Sequence, residues 1–276
     1  MWDIVIGNLQ LTVKIILMVT VFMTIIDYLE LRFRDQIHDI LTGKPLNQYV
    51  LASLLGAVPG CIDAFLVVSL YIHGMVGFGA LTAVMLSTAG DEAFVMLAMA
   101  PEAAYRIFAI LVPLGFVGGF LADRVVKRLK VETGEYKMDE KRRDTSNFLK
   151  EHVYDHIIKE HIPRLFTWIF LTLTVIEVLI HRFDLAPFIE SLPVSAMMVI
   201  AAVVGIIPES GPHMVFLVLY SKGLIPFSVL LVSTLSQDGH GLLPLLSHSV
   251  KDTLYVQLFT TSFSLIVGLA LILIGI

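Results

Sequence analysis

The chain has 276 residues, of which 57% are hydrophobic and 16% charged, with a mean hydropathy of +0.83 and a formal net charge of −5. So much apolar sequence exceeds what one soluble core requires, and a single cysteine excludes an internal disulfide or a thiolate cluster within one subunit. Strand-like alternation is absent, which argues against an outer-membrane barrel, and the expected fold class is an all-α integral membrane protein.

The first apolar run, Leu11–Ile26, follows an acidic start, Met1-Trp2-Asp3, and ends in Ile26-Asp27-Tyr28-Leu29-Glu30. A cleaved leader has a basic start, a short apolar stretch and a small-residue cleavage site, so this run is expected to be a retained first membrane helix. Five apolar segments are predicted in the first half, at 9–31, 46–58, 61–73, 75–99 and 103–122. The longest approach the roughly 20 residues that a helix needs to cross about 30 Å of hydrocarbon. The second and third are short, which predicts a broken or re-entrant pair.

From Asp123 to Arg164 the pattern changes, and eleven of the nineteen Lys and Arg residues fall there. The positive-inside rule places this loop in the cytoplasm of a multi-pass protein of the cell (inner) membrane. Within it, 146–161 reads as an amphipathic helix carrying His152 and His156 four residues apart, a spacing that can collect a metal ion. Five further segments follow, at 163–182, 191–207, 210–222, 224–247 and 253–275. The predicted organisation is a first transmembrane repeat (1–123), a basic cytoplasmic loop (124–162) and a second transmembrane repeat (163–276).

The two halves resemble each other. At a constant offset of 149 (Gly205 against Gly56), Pro59 meets Pro208, Tyr71 meets Tyr220, Gly74 meets Gly223, Phe78 meets Phe227, Ser87 meets Ser236 and Gly90 meets Gly239. One residue out of step, Thr24–Asp27 matches Thr174–Glu177 and Arg32-Phe33 matches Arg182-Phe183. A repeated unit with an odd number of crossings enters the membrane upside down, so two inverted repeats are expected, with both termini outside.

Each half is interrupted twice, at equivalent places. The first interruption, Val58-Pro59-Gly60-Cys61-Ile62-Asp63, matches Ile207-Pro208-Glu209-Ser210-Gly211-Pro212-His213. Proline removes a backbone donor and glycine adds freedom, so a helix stops there. The second, Ser87-Thr88-Ala89-Gly90-Asp91-Glu92, matches Ser236-Gln237-Asp238-Gly239-His240-Gly241. Ionisable groups at that depth are costly unless they face a cavity or a partner. Asp63, Asp91, Glu92, Glu209, His213, Asp238 and His240, with Asp27 and Glu177 as a matched acidic pair, are therefore the candidate metal ligands. The helix-break residues Pro59, Gly60, Cys61, Ser87, Gly90, Pro208, Ser210, Gly211, Ser236, Gln237 and Gly239 are candidates for backbone contact with substrate.

Structural alternatives stand beside these. Asp27 and Glu177 could pair with Arg32 and Arg182, Ser87 and Ser236 could cap half-helices, and Glu102 and Arg106 are spaced as an ion pair. His73 and Lys222 read as interfacial, and the methionines as core filling. Oxygen and imidazole ligands suit Mn²⁺, Fe²⁺ and Zn²⁺, whereas Cu⁺ or trivalent arsenic would want several thiolates.

The run Ile207-Pro208-Glu209-Ser210-Gly211, with Leu219-Tyr220, Gly223-Leu224-Ile225-Pro226-Phe227-Ser228 and Ser236-Gln237-Asp238-Gly239, resembles the ten-helix heavy-metal exporters of bacteria and archaea. Members of that family carry the labels arsenic efflux protein or manganese transporter. The resemblance implies metal export and spans nearly the whole chain. Glu209-Ser210 replaces a small residue and a cysteine, and His240-Gly241 follows Gly239 where an acidic residue is usual, which points away from arsenic. The expected function is a secondary transporter that exports a divalent cation by alternating access, exchanged against protons, with a homodimer as a further expectation. The alternative is a transporter of a small organic solute such as an amino acid or amine. No prosthetic group, nucleic-acid partner or enzymatic activity is expected, since no His-Glu-x-x-His run, Ser-centred elbow or nucleotide loop is present.

Overall fold

A computed structural model describes residues 2–41, 44–60, 62–129, 154, 158–159, 162–183, 185–239 and 241–275. Among them no strand occurs and the chain is helical throughout. The first half contains α1 (Trp2–Leu41), α2 (Pro45–Gly56), α3 (Ile62–Ile72), α4 (Phe78–Ser87), α5 (Glu92–Met99) and α6 (Pro101–Leu129). The second contains α7 (Ile162–Phe183), α8 (Leu185–Ser191), α9 (Val194–Gly205), α10 (Met214–Ser221), α11 (Phe227–Ser236), α12 (Leu242–His248) and α13 (Val250–Ile274). Most of the expected amphipathic helix at 146–161, including His152 and His156, lies outside the described residues.

Helix boundaries recur at the offset seen in the sequence. α2 and α9 begin and end 149 residues apart, as do α4 and α11, and α6 and α13 start at the same interval. Local geometry repeats with them. Gly74 and Gly223 take left-handed φ angles of 71° and 73°. Each is the C′ residue of a Schellman motif, with Met75 N donating to Leu70 O at 2.8 Å and Leu224 N donating to Leu219 O at 3.0 Å. The Tyr71–Phe78 and Tyr220–Phe227 rings meet edge-on with centroids 6.4 Å apart in both halves. A Cβ on Gly56 would stand 2.2 Å from Ser87 Oγ, and one on Gly205 would stand 2.3 Å from Ser236 Oγ. Glycine is needed at both because the α2 and α9 backbones press on the ends of α4 and α11.

α2 has 12 residues and α3 has 11, so at 1.5 Å per residue neither reaches about 30 Å. They form a hairpin whose open end is pinned to one corner. Asp123 near the end of α6 accepts from Tyr49 OH at 2.6 Å and from Gly79 N at 2.9 Å, and Gln48 Oε1 accepts from Gly77 N at 3.3 Å. The start of α2, the turn after α3, the start of α4 and the end of α6 therefore lie together. The hairpin tip returns to the level of Ser87, where the next interruption begins.

Five stretches are long and apolar enough to cross a membrane: Ile4–Ile25, Phe78–Met99, Pro101–Val126, Ile162–Ile180 and Val250–Ile274. Phe78–Met99 comprises α4, a break and α5, and 94% of it is buried, against 17% for Val250–Ile274. The broken helix is thus the centre of the bundle and the unbroken ones its rim. The halves interleave around it: α1 packs on α7, α5 on α10, α12 on α3, α13 on α4 and α11 on α6. Tyr71 OH also donates to Asp252 Oδ2 at 3.1 Å across the two halves.

Two expectations are refined. The first helix runs from Trp2 to Leu41, well beyond 9–31 at both ends, whereas its counterpart is divided into α7 and α8. Pro187, in the first turn of α8, needs no intrahelical donor there. The 75–99 and 224–247 segments each split in two at their glycines.

Gly205→Ala is expected to lower stability by about 1–3 kcal/mol by forcing α9 from α11. Gly7→Ala, where a new Cβ meets nothing within 4 Å, is expected to be neutral or slightly stabilising. Thermal unfolding in detergent distinguishes the two.

Candidate functional site

The second interruption of each half is built alike. α4 ends at Ser87 and α11 at Ser236, and the next residues, Thr88 and Gln237, turn to extended backbone with ψ of 134° and 124°. Gly90 and Gly239 then take left-handed φ of 51° and 57°, which restarts the chain into α5 and α12. Neither serine caps a following half-helix. Ser87 Oγ donates to Ala83 O at 2.8 Å, and Ser236 Oγ to Ser233 O at 3.0 Å, so both satisfy carbonyls in the last turn of their own helix.

The two breaks meet across the halves. Gln237 Nε2 donates to Glu92 Oε2 at 3.0 Å and to Ala89 O at 3.3 Å. Glu92 is the first residue of α5 and is fully buried, as is Gln237. Asp238, also buried, accepts on Oδ2 from Thr260 Oγ1 of α13 at 3.3 Å. His213 precedes α10, is fully buried, and holds Ser233 Oγ of α11 with Nδ1 at 3.3 Å. Ser233 lies one turn before Gln237 and accepts from its backbone N at 3.2 Å, so the imidazole and the amide are joined through α11.

Four side-chain atoms at this crossing have no hydrogen-bond partner: Glu92 Oε1, Gln237 Oε1, Asp238 Oδ1 and His213 Nε2. Each such buried atom costs about 1–3 kcal/mol. Asp91 is buried and partnered beside them. Among the described residues, no three of His, Cys, Asp and Glu are grouped closely enough to hold a metal ion. His240 and Cys61, with the side chains of Asp27 and Asp63, lie outside the described residues.

The first interruptions are the hairpin tips. Gly60 takes φ of 136° and faces Phe94 of α5. In the second half, Glu209 N donates to Ile207 O at 2.7 Å around Pro208. The Glu209 carboxylate forms an ion pair with Arg164 at the start of α7, which separates it from the crossing carboxylates. Gly211 lies against the Trp168 indole so closely that a Cβ would stand 2.2 Å from it, while Ser210 is buried with Oγ unpartnered. Glu177 meets Lys222 Nζ at 3.7 Å rather than Arg182, and Glu102 pairs with Arg106 as its spacing predicts. The structure thus joins Glu92 to Gln237, ties Asp238 to Thr260 and His213 to Ser233, and assigns Glu209 and Glu177 to ion pairs with Arg164 and Lys222. Sequence reasoning missed Ser233 and Thr260. Their signal is a hydroxyl within an apolar helix, which many structural serines and threonines share.

The sequence profile of one protein family, described as "Putative, 10TM heavy-metal exporter", matches residues 6–184 and 138–274. No curated protein and no solved structure matches the chain.

Gln237→Ala removes the bond that joins the breaks and strands Glu92 and Ala89 O, and is expected to cost about 1–3 kcal/mol. Arg164→Ala breaks a half-exposed pair, and its expected cost is about 0–1 kcal/mol. Melting temperatures in one detergent would rank the two.

Proposed function

Because the chain belongs to this family of ten-transmembrane heavy-metal exporters, we propose that it is a secondary transporter that exports a divalent cation of the Mn²⁺, Fe²⁺ or Zn²⁺ type by alternating access. The observation that carries the proposal is that Glu92 Oε1, Gln237 Oε1 and Asp238 Oδ1, on the two helix breaks, and His213 Nε2, before α10, are buried without a partner. Carboxylate and amide oxygens with one imidazole nitrogen are the donor set those ions share. A cation entering there would satisfy atoms that the protein leaves open, which is the energetic reason to bind it. When it leaves, Glu92 and Asp238 are the groups that could take up protons in its place, which gives metal–proton exchange a physical basis.

The rest of the fold supports the same reading. Substrate sites of repeat-built transporters lie where discontinuous helices meet near the membrane centre. We place α2–α3 and α9–α10 as re-entrant hairpins from opposite faces of the inner membrane. α4–α5 and α11–α12 are then the broken spans between them. The basic loop is cytoplasmic and both termini are outside, so the halves are inverted. Arg164 and Glu209 lie at the tip of the second hairpin, on the side of the basic loop.

In proteoliposomes, wild-type protein is expected to move Mn²⁺ or Zn²⁺ against a proton gradient, and Glu92→Gln and Asp238→Asn to slow transport by roughly tenfold or more. Transport at the wild-type rate in both variants would sink the site assignment. Stabilisation by amines or amino acids but by no metal in a thermal-shift screen would favour the organic-solute reading. For the inversion, Leu46→Cys and Ser195→Cys, each in a Cys61→Ser background, stand at matching positions in the first turns of α2 and α9. Impermeant thiol reagent is expected to label them from opposite faces; labelling from the same face contradicts the placement.

A further inference from the structure

The two halves are fastened to each other differently at the two ends of the bundle. At one end, Tyr71 in the last turn of α3 donates its hydroxyl to Asp252 Oδ2 in the first turn of α13 at 3.1 Å, and both residues are buried. Ser249 Oγ accepts from Asp252 N at 3.2 Å and so fixes the turn that presents the carboxylate. The Tyr71 ring meets Phe78, and Gly79, next in the chain, donates to Asp123 near the end of α6 at 2.9 Å. The bond between the halves therefore lies at the end of the bundle from which α6 runs on into the basic loop.

At the offset of 149, the equivalent place at the other end has no such fastening. Tyr71 corresponds to Tyr220, but Asp252 corresponds to Ala103 and Ser249 to Ala100. Around them Asp123 corresponds to Ile272, Gln48 to Met197 and Tyr49 to Met198. A Cβ on Gly268 of α13 would stand 2.9 Å from Met198 Sδ, so a thioether packs on α13 where the first half has its Tyr49–Asp123 bond. Tyr71 is buried, whereas Tyr220 is only partly so. Apolar surfaces slide past each other with no bond to break, whereas a phenol–carboxylate bond has one geometry and parts as a unit. Away from water that bond is strong. Water admitted by an opening takes over both partners, which keeps the net cost low enough to be reversed.

We infer that Tyr71 and Asp252 are the latch of a gate at the basic-loop face: their bond holds the two halves shut there and parts when the protein opens toward that face. The inference rests on the alternating-access reading above and adds which residues hold which side. The opposite face closes on apolar packing alone around Tyr220 and Ala103.

The test is sided thiol labelling of the full-length protein in membrane vesicles, in a Cys61→Ser background, with an impermeant maleimide. Ser146→Cys identifies the basic-loop face. Val67→Cys and Phe216→Cys report on the two gates, since these buried twins lie one turn deeper than Tyr71 and Tyr220. Tyr71→Phe and Asp252→Ala are each expected to speed labelling of Val67→Cys from the loop face roughly tenfold or more. Their combination is expected to go no faster than the faster single variant, because both remove the same bond. Asp252→Asn keeps an acceptor for the hydroxyl and is expected to stay near the parent rate. Labelling of Phe216→Cys from the opposite face is expected to slow, because a chain open to one face is closed to the other. An unchanged rate at Val67→Cys would overturn the latch and leave the transport reading standing. A rise at both reporters would also overturn it, since the pair would then only stabilise the fold. If wild-type protein moves no metal in proteoliposomes, the transport reading fails and the labelling still decides the latch. Should Asp252→Ala not fold, Tyr71→Phe decides by the same criterion.

Discussion

A helix that stops inside a membrane leaves backbone donors and acceptors where no water can reach them. This protein stops helices at four such places and answers each locally. Ser87 and Ser236 return their hydroxyls to the carbonyls of the helices they end. Gly56 and Gly205 let the neighbouring hairpin arms close directly over those ends. The broken Phe78–Met99 stretch is buried at the centre, while the unbroken α1, α6, α7 and α13 are the more exposed apolar helices. Only after those backbone groups are covered do Glu92, Gln237, Asp238 and His213 become the groups left over.

Interleaving gives that chemistry its geometry. Because α5 packs on α10 and α12 on α3, neither half contains the crossing by itself. Gln237 belongs to the second half and Glu92 to the first, and their bond at 3.0 Å spans 145 residues of sequence. A relative movement of the halves would therefore act directly on this one amide–carboxylate bond.

Much of this was legible in the sequence. Apolar length gave the membrane class, and matched Pro, Gly, Tyr and Ser residues located both interruptions to within a residue or two. Glycine and proline speak plainly because their effects on backbone are local. Partners were harder to read. Glu209 and Glu177 look from sequence like members of the acidic set, but Arg164 and Lys222 come to them from other helices. Ser233 and Thr260 carried no local mark, since a hydroxyl in an apolar helix most often bonds its own preceding turn.

The bond from Tyr71 to Asp252 has a consequence for how the chain is made. It joins residues 181 apart, with α3 on one side and the first turn of α13 on the other. A ribosome delivers Tyr71 long before Asp252, and the Asp123 corner that pins α2 and α4 also arrives in the interval. The first hairpin is thus anchored early at its base and gains its ties to the opposite half only when α12 and α13 enter. Insertion order is written into the fold: the oldest polar tether of the first half is internal, and the seal between halves is among the final contacts of biogenesis.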